Sequence, residues 1–170
     1  MKIGLIGLGK MGINIGKQFI DRNHQAVGYD VNQAAVDELK AYGAEGTTNL
    51  KEFISLLHPP HILWVMVPHG IVDAVLRDVS PLLSKGDMII EAGNSHYKES
   101  IRRYNQMKEA GIHYLDAGTS GGMEGARHGA CFMVGAIMKH GRLWNRFFVI
   151  PPSKMVIYTL VKREADIFLK

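Results

Sequence analysis

The chain opens on the feature that most restricts its fold. Ile3, Leu5 and Ile6 run directly into Gly7-Leu8-Gly9-Lys10-Met11-Gly12, and apolar residues then follow at helical spacing from Met11 to Ile20. An apolar strand that must turn at once into a helix, with glycine at the first, third and sixth positions of the turn, suits the start of a βαβ unit. The first glycine permits the tight turn, the second lets backbone approach a pyrophosphate, and the third lets helix and strand pack closely. The helix start also offers N–H groups and a partial positive charge to phosphates. A glycine-rich turn without a ligand is the competing reading, and the strand before it and the helix after it argue against that.

Asp30 ends a second strand, Ala26 to Tyr29, and stands 18 residues after Gly12. A carboxylate there accepts hydrogen bonds from ribose hydroxyls and repels a 2′-phosphate, and no arginine follows within several residues. The pattern therefore predicts NAD as cofactor in preference to NADP. Gly7, Leu8, Gly9, Lys10, Met11, Gly12 and Asp30 are its expected contacts, and capping of the next helix is the competing role for Asp30.

The remaining periodicity repeats the alternation of strand and helix. Val36 and Leu39 share a helix face, and Asn49 with Glu52 resembles a capping box ahead of Phe53, Ile54 and Leu57. Ile62 to Val67 is apolar at nearly every position, as a strand covered on both faces should be. A strand over Met88 to Glu91, a polar helix over Lys98 to Ala110 and a strand over Ile112 to Leu115 complete the series. This order predicts an α/β fold of the Rossmann type, a doubly wound, mainly parallel sheet, as one domain over residues 1–136.

Composition narrows the function classes. Apolar residues make up 46% and charged residues 21% of the 170 residues, no apolar run reaches membrane-span length, and the start does not read as a signal peptide. A single cysteine, Cys131, excludes an internal disulfide and suits a reducing cytoplasm, the expected location; a packed thiol is its expected role. His69, His96, His113 and His128 show no paired ligand spacing, so no metal site is expected. Most should lie on the surface or in loops, with His113 packing at the edge of a strand.

From Glu91 the sequence becomes more specific. EAGNSHYKESIRR and HYLDAGTSGGMEGARHGACFMVGA, with GLGKMGIN at the start and MVP at Met66 to Pro68, resemble 6-phosphogluconate dehydrogenase (decarboxylating), especially its shorter bacterial, NAD-preferring branch. GNS at Gly93 to Ser95, Arg102 with Arg103, and EGAR at Glu124 to Arg127 favour that branch over the related 3-hydroxyisobutyrate-type dehydrogenases. Met123 departs from the acidic residue many members carry there. The resemblance implies that Val67, Pro68 and His69 lie beside the cofactor and that Asn94 touches both the nicotinamide side and the substrate. Ser120, Gly121 and Gly122 would hold the sugar acid. It implies a metal-free oxidative decarboxylation of 6-phosphogluconate to ribulose 5-phosphate and a homo-oligomeric family, with no nucleic-acid or membrane partner. The family's catalytic lysine and glutamate belong to a GxGHxxKMVHNGIEY motif on a later helix, which is missing here together with the all-helical domain. No catalytic residue is therefore assigned.

The resemblance stops after Val134 to Ala136. Residues 1–136 hold 13 Lys+Arg and 14 Asp+Glu, whereas residues 137–170 hold 7 and 2 and also five of the 14 aromatic residues. With synonymous codons chosen to suit, re-reading each codon one base earlier can give a family-like sequence, with Arg163 to Lys170 permitting GSGHFLK. The expectation is a tail read out of frame after about residue 136, leaving an inactive N-terminal part. A non-catalytic nucleotide-binding module whose basic arm contacts nucleic acid is the reading from a different class.

Overall fold

The computed structural model describes residues 1–135 and 157–160. The expected boundary at residue 136 and most of the tail that follows lie outside the described residues.

Strands β1 (Lys2–Ile6), β2 (Gln25–Tyr29), β3 (Glu45–Thr47), β4 (Ile62–Val65), β5 (Met88–Glu91), β6 (His113–Ser120), β7 (Cys131–Gly135) and β8 (Ile157–Leu160) form one sheet in the order β3-β2-β1-β4-β5-β6-β7-β8. Every pairing is parallel except β6 with β7, which is antiparallel. Because β1 lies between β2 and β4, the chain winds outward in both directions from it. That reversal opens a crevice above the carboxyl ends of the strands, where ligands of such sheets bind.

Helices α1 (Lys10–Asp21), α2 (Gln33–Ala41) and α6 (Gly122–His128) cover one face, and α3 (Leu50–Ser55), α4 (Val72–Val79) and α5 (Tyr97–Glu109) cover the other. Alternate residues of β4 divide accordingly. Ile62 and Trp64 join Ile13, Ile15, Phe19, Val36 and Leu39, while Leu63 and Val65 join Phe53, Val72, Leu76 and Met107. Each such side chain contributes on the order of 1.5–3 kcal/mol before the entropy of ordering it. Trp64 meets Phe19 edge-on at 5.6 Å and Phe132 at 5.1 Å, joining α1, β4 and β7 through one indole.

Several elements differ from the periodicity. β4 ends at Val65, two residues short of the apolar run, while β6 runs five residues beyond Leu115 to Ser120. The Asn49 side chain caps α3 by accepting from the N–H groups of Lys51 and Glu52. Glu52 does not close the box: it accepts from the Thr47 hydroxyl, whose oxygen in turn accepts from Asn49 N at 3.0 Å. His113, expected to pack, is exposed at the start of β6, because the strand alternation turns Ile112 and Tyr114 inward instead. No helix among the described residues is long and apolar enough to cross a membrane.

Candidate cofactor and substrate site

β1 ends at Ile6, and Gly7 makes the turn at φ +94° while donating its N–H to the Tyr29 carbonyl at 3.0 Å. A methyl group at Gly12 would lie 2.0 Å from the Gly7 carbonyl oxygen, so the first turn of α1 rests directly on the loop that precedes it. A methyl group at Gly9 would meet nothing within 4 Å. Protein packing therefore requires glycine at Gly12, and the space above Gly9 is open to something else. No side chain caps α1, and its first turn carries no acidic residue. Asn32, Asn49 and His96 cap α2, α3 and α5, whereas α4 and α6, like α1, have no side-chain cap. The first N–H groups of a helix have no partner within it. Together with the space at Gly9, they form a cradle that suits a pyrophosphate.

Within the same turn Lys10 is exposed and Met11 half-buried. Leu8 is a core residue at 1% exposure, and its N–H is taken by Asp30 Oδ2 at 2.6 Å. Asp30 Oδ1 accepts from Asn32 N at 2.9 Å. The Asp30 carboxylate thus pins the glycine turn to the turn after β2, while Asn32, accepting from Ala34 N, is the cap of α2.

The next three strand ends continue the row. Gly7 lies so close to the segment after β4 that a methyl group on it would be 2.5 Å from the Met66 carbonyl oxygen. Val67 is half-buried, and Pro68 and His69 are exposed, His69 opening a short 3₁₀ turn to Ile71. After β5, a methyl group at Gly93 would be 3.0 Å from the Val67 carbonyl oxygen, and Asn94 is exposed. At the end of β6 the chain turns through Gly121 at φ +118° and Gly122 at φ +56°, with Ser120, Gly121 and Gly122 all exposed. The geometry therefore brings the glycine turn, Val67 to His69, Asn94 and Ser120 to Gly122 to one edge of the sheet.

Beneath Asn94 lies a buried polar group that sequence reasoning missed. Glu91, fully buried at the end of β5, accepts from the Ser95 hydroxyl at 3.0 Å and the Tyr114 hydroxyl at 3.2 Å. Arg103, 2% exposed on α5, donates to Ser95 Oγ at 2.8 Å, and its Nη1 lies 3.7 Å from Glu91 Oε2. Its Nε and Nη2 grip the two oxygens of Asp73 at 2.8 and 3.2 Å, and Arg102 binds Asp73 from the outside. The Arg103 hydrogen bond, joined by Arg102 and opposed by partial burial, holds the Asp73 carboxyl at about 2. Burial acts to lower Arg103, and the Asp73 carboxylate outweighs it, so the guanidinium is held above its ordinary value. Burial, with Glu91 beside it, pushes the Tyr114 phenol well up. The signal available in the sequence was the stripe Ser100, Arg103, Met107, which is buried along α5 at helical spacing.

Arg127, in EGAR, has a different task. It donates to Asp21 Oδ2 at 2.6 Å and to the Tyr42 hydroxyl at 2.8 Å, and Tyr42 donates to Asp21 Oδ1 at 2.8 Å. This holds α6, and with it the turn at Gly121, against α1 and the end of α2. His96 serves as the α5 cap, accepting from Lys98 N, and exposed His128 lies 3.6 Å from Glu124. Among the described residues no group of three or more His, Cys, Asp or Glu is placed to hold a metal.

Comparison with known proteins identifies the family. Residues 2–148 match the family model described as the NAD binding domain of 6-phosphogluconate dehydrogenase. The chain is 98% identical over 135 residues to a Bacillus subtilis (strain 168) protein provisionally named 6-phosphogluconate dehydrogenase YqeC; the match covers 79% of this chain and 46% of that protein. The chain thus spans about half the length of that relative. The Plasmodium falciparum 6-phosphogluconate dehydrogenase, solved with its cofactor NADP+ and with its substrate 6-phosphogluconate, superposes with a TM-score of 0.76. It is 32% identical, over 82% of this chain and 31% of that one. The Mycobacterium tuberculosis 3-hydroxyisobutyrate dehydrogenase shares the fold, with a TM-score of 0.81 at 22% identity over 94% of this chain and 54% of that one.

The Plasmodium structure overturns the expectation that NADP is the less suited cofactor. The reason lies in Asp30: both of its oxygens are bound by the backbone of Leu8 and Asn32, so the turn alone accounts for a carboxylate at this position and its presence does not by itself specify the cofactor. What the sheet order, the bare α1 terminus and the matched residues establish together is that this chain belongs to the 6-phosphogluconate dehydrogenase family.

Proposed function

We propose that the chain is the nucleotide-binding part of an enzyme that oxidises and decarboxylates 6-phosphogluconate to ribulose 5-phosphate with a nicotinamide dinucleotide. The observation that carries this reading is the unbroken row of strand ends, from the glycine turn through Val67 and Asn94 to Ser120. In it the α1 terminus holds the pyrophosphate, and Val67, Pro68 and His69 flank the cofactor. Asn94 stands between the nicotinamide side and the sugar acid. Ser120, Gly121 and Gly122 receive the substrate carboxylate, for which a glycine-rich turn supplies close backbone donors. The nicotinamide, when bound, accepts the hydride removed from the sugar. The chain's own residues bind and orient; the proton-transferring lysine and glutamate that the family places on its later helix are outside the motifs found here.

We also propose that residues 137–170 are read in a shifted frame. The jump in charge after residue 136 supports it, as does the 98% identity that extends over only 135 residues. The 170-residue chain should then bind the dinucleotide without turning over 6-phosphogluconate. Restoring the frame and the downstream sequence should give reduced-cofactor formation, followed by absorbance at saturating 6-phosphogluconate with NAD+ and NADP+ in parallel. Oxidation of 3-hydroxyisobutyrate in place of 6-phosphogluconate by the restored enzyme would overturn the substrate assignment, and turnover by the 170-residue chain would overturn the truncation.

A further inference from the structure

The Asn94 loop is gripped on both sides of Asn94. At Gly93 a methyl group would lie 2.9 Å from Glu91 Oε1 and 3.0 Å from the Val67 carbonyl oxygen, so backbone is pressed against the floor of the loop there. At Ser95 the hydroxyl gives its one proton to Glu91 Oε1 at 3.0 Å and accepts from Arg103 Nη1 at 2.8 Å, which fixes its orientation. Asn94 itself is exposed between these two fixed neighbours.

Stability alone is a weak reason for this arrangement. A buried ion pair is costly to desolvate, and apolar residues of similar volume often replace one without loss. Arg103 sits on the core-facing stripe of α5 with Met107, where an aliphatic side chain would be ordinary. Its donors instead reach three named acceptors. Nη1 reaches Ser95, beside Asn94, while Nε and Nη2 reach Asp73, which lies just after the 3₁₀ turn that begins at His69. One planar guanidinium therefore joins the first turn of α4 to the loop that follows β5.

We propose that Arg103, acting through Ser95, is the positioning residue that sets Asn94 against the nicotinamide half of the cofactor. The inference rests on the cofactor site described under Proposed function. Its test is the affinity of the 170-residue chain for two probes: the reduced dinucleotide (NADH or NADPH, whichever the wild-type chain binds more tightly) and the matching adenine half alone (ADP or 2′,5′-ADP). Ser95→Ala and Arg103→Lys should each weaken the dinucleotide roughly tenfold and leave the adenine half within about twofold, since coupling through packed networks is of this size. The double variant should lose less than the product of the two, because both remove the same link. Arg102→Ala, which removes the outer contacts to Asp73 and Glu99 and leaves Ser95 and Arg103 in place, should leave the ratio of the two affinities unchanged. Equal weakening of both probes, or of neither, would overturn the proposal, since a purely structural role lowers the melting temperature without moving that ratio. Ser95→Ala removes one hydroxyl and keeps the test decisive where Arg103→Lys fails to fold. A wild-type chain that binds neither probe would remove the cofactor site itself and this role with it.

Discussion

The two ends of the sheet are built to opposite plans. At the amino ends of β4 and β5, Asp87 is 1% exposed, and its carboxylate accepts from His61 N at 2.8 Å, Ser84 N at 2.7 Å and His61 Nδ1 at 2.8 Å. All three of these donors come from the protein itself. At the carboxyl ends, α1 has no side-chain cap, Gly9 faces open space, and Asn94 and Gly122 are exposed. The closed end ties the chain together; the open end keeps donors available at a cost in stability. Carboxylates make the same point twice, since Asp87 and Asp30 both bind backbone N–H groups, one far from the site and one inside it.

Substitutions can break this contrast, in decreasing order of their effect on stability. Gly12→Ala should be the most severe, because its methyl group would meet the Gly7 carbonyl at 2.0 Å. We expect a loss of about 3 kcal/mol or more in urea unfolding, from forcing α1 away from β1; an unchanged midpoint would refute the close-packing account. Asp87→Asn, at the closed end, should cost about 2 kcal/mol at neutral pH by leaving buried donors poorly matched. Burial acts to raise Asp87, but the Ser84 N–H and His61 outweigh it and hold the carboxyl below its ordinary 3.8. Its contribution is therefore full above that value and is lost as pH falls through the lower folded-state value. The gap between wild type and Asp87→Asn, measured by denaturation across pH, should close in that acid range, and a constant gap would contradict the linkage.

Asn49→Ala should cost about 1 kcal/mol, the usual value of an N-cap; thermal melts that coincide with wild type would show that Thr47 holds the turn unaided. Gly9→Ala completes the series with a change in stability inside about 0.5 kcal/mol. Its effect should appear instead in dinucleotide affinity, weakened roughly tenfold or more as the methyl group occupies the phosphate's approach. Titration by reduced-cofactor fluorescence checks this. Undiminished affinity would show that the open space at Gly9 is not where the cofactor lies.

Much of the open end was legible in sequence because backbone needs dictate residue type there. Gly7 and Gly12 are demanded by a turn and a contact, and Asn49 by a helix start. Two kinds of feature were among those that escaped. β3 is only Glu45–Thr47 and α6 reads GMEGARH, so neither carries enough apolar periodicity to be seen without its neighbours. The second kind is charge placed inside. Lys98 to Ala110 reads as a polar helix, but Arg103 turns inward because Glu91, at the end of β5, and Ser95, in the loop after it, face α5. His61 and Asp87 are likewise 26 residues apart and meet only because β4 and β5 are adjacent in register. Asp30 misled as to the choice of cofactor because a carboxylate at a strand end also serves the turn, and its bonds to Leu8 and Asn32 are made only in the folded chain.

The Arg127 clamp bears on how such a site comes into being. Its link to Asp21 joins residues 106 positions apart, and its link to Tyr42 joins residues 85 apart. Contacts of that separation close late, since the loop entropy must be overcome before the bond rewards it. On a ribosome the glycine turn is made first, yet the turn at Gly121 cannot be held against it until Arg127 has emerged. The earliest-synthesised and nearly the last-synthesised parts of this domain thus share one surface, and a nascent chain stalled before residue 127 would carry the glycine turn without the clamp that anchors the turn at Gly121.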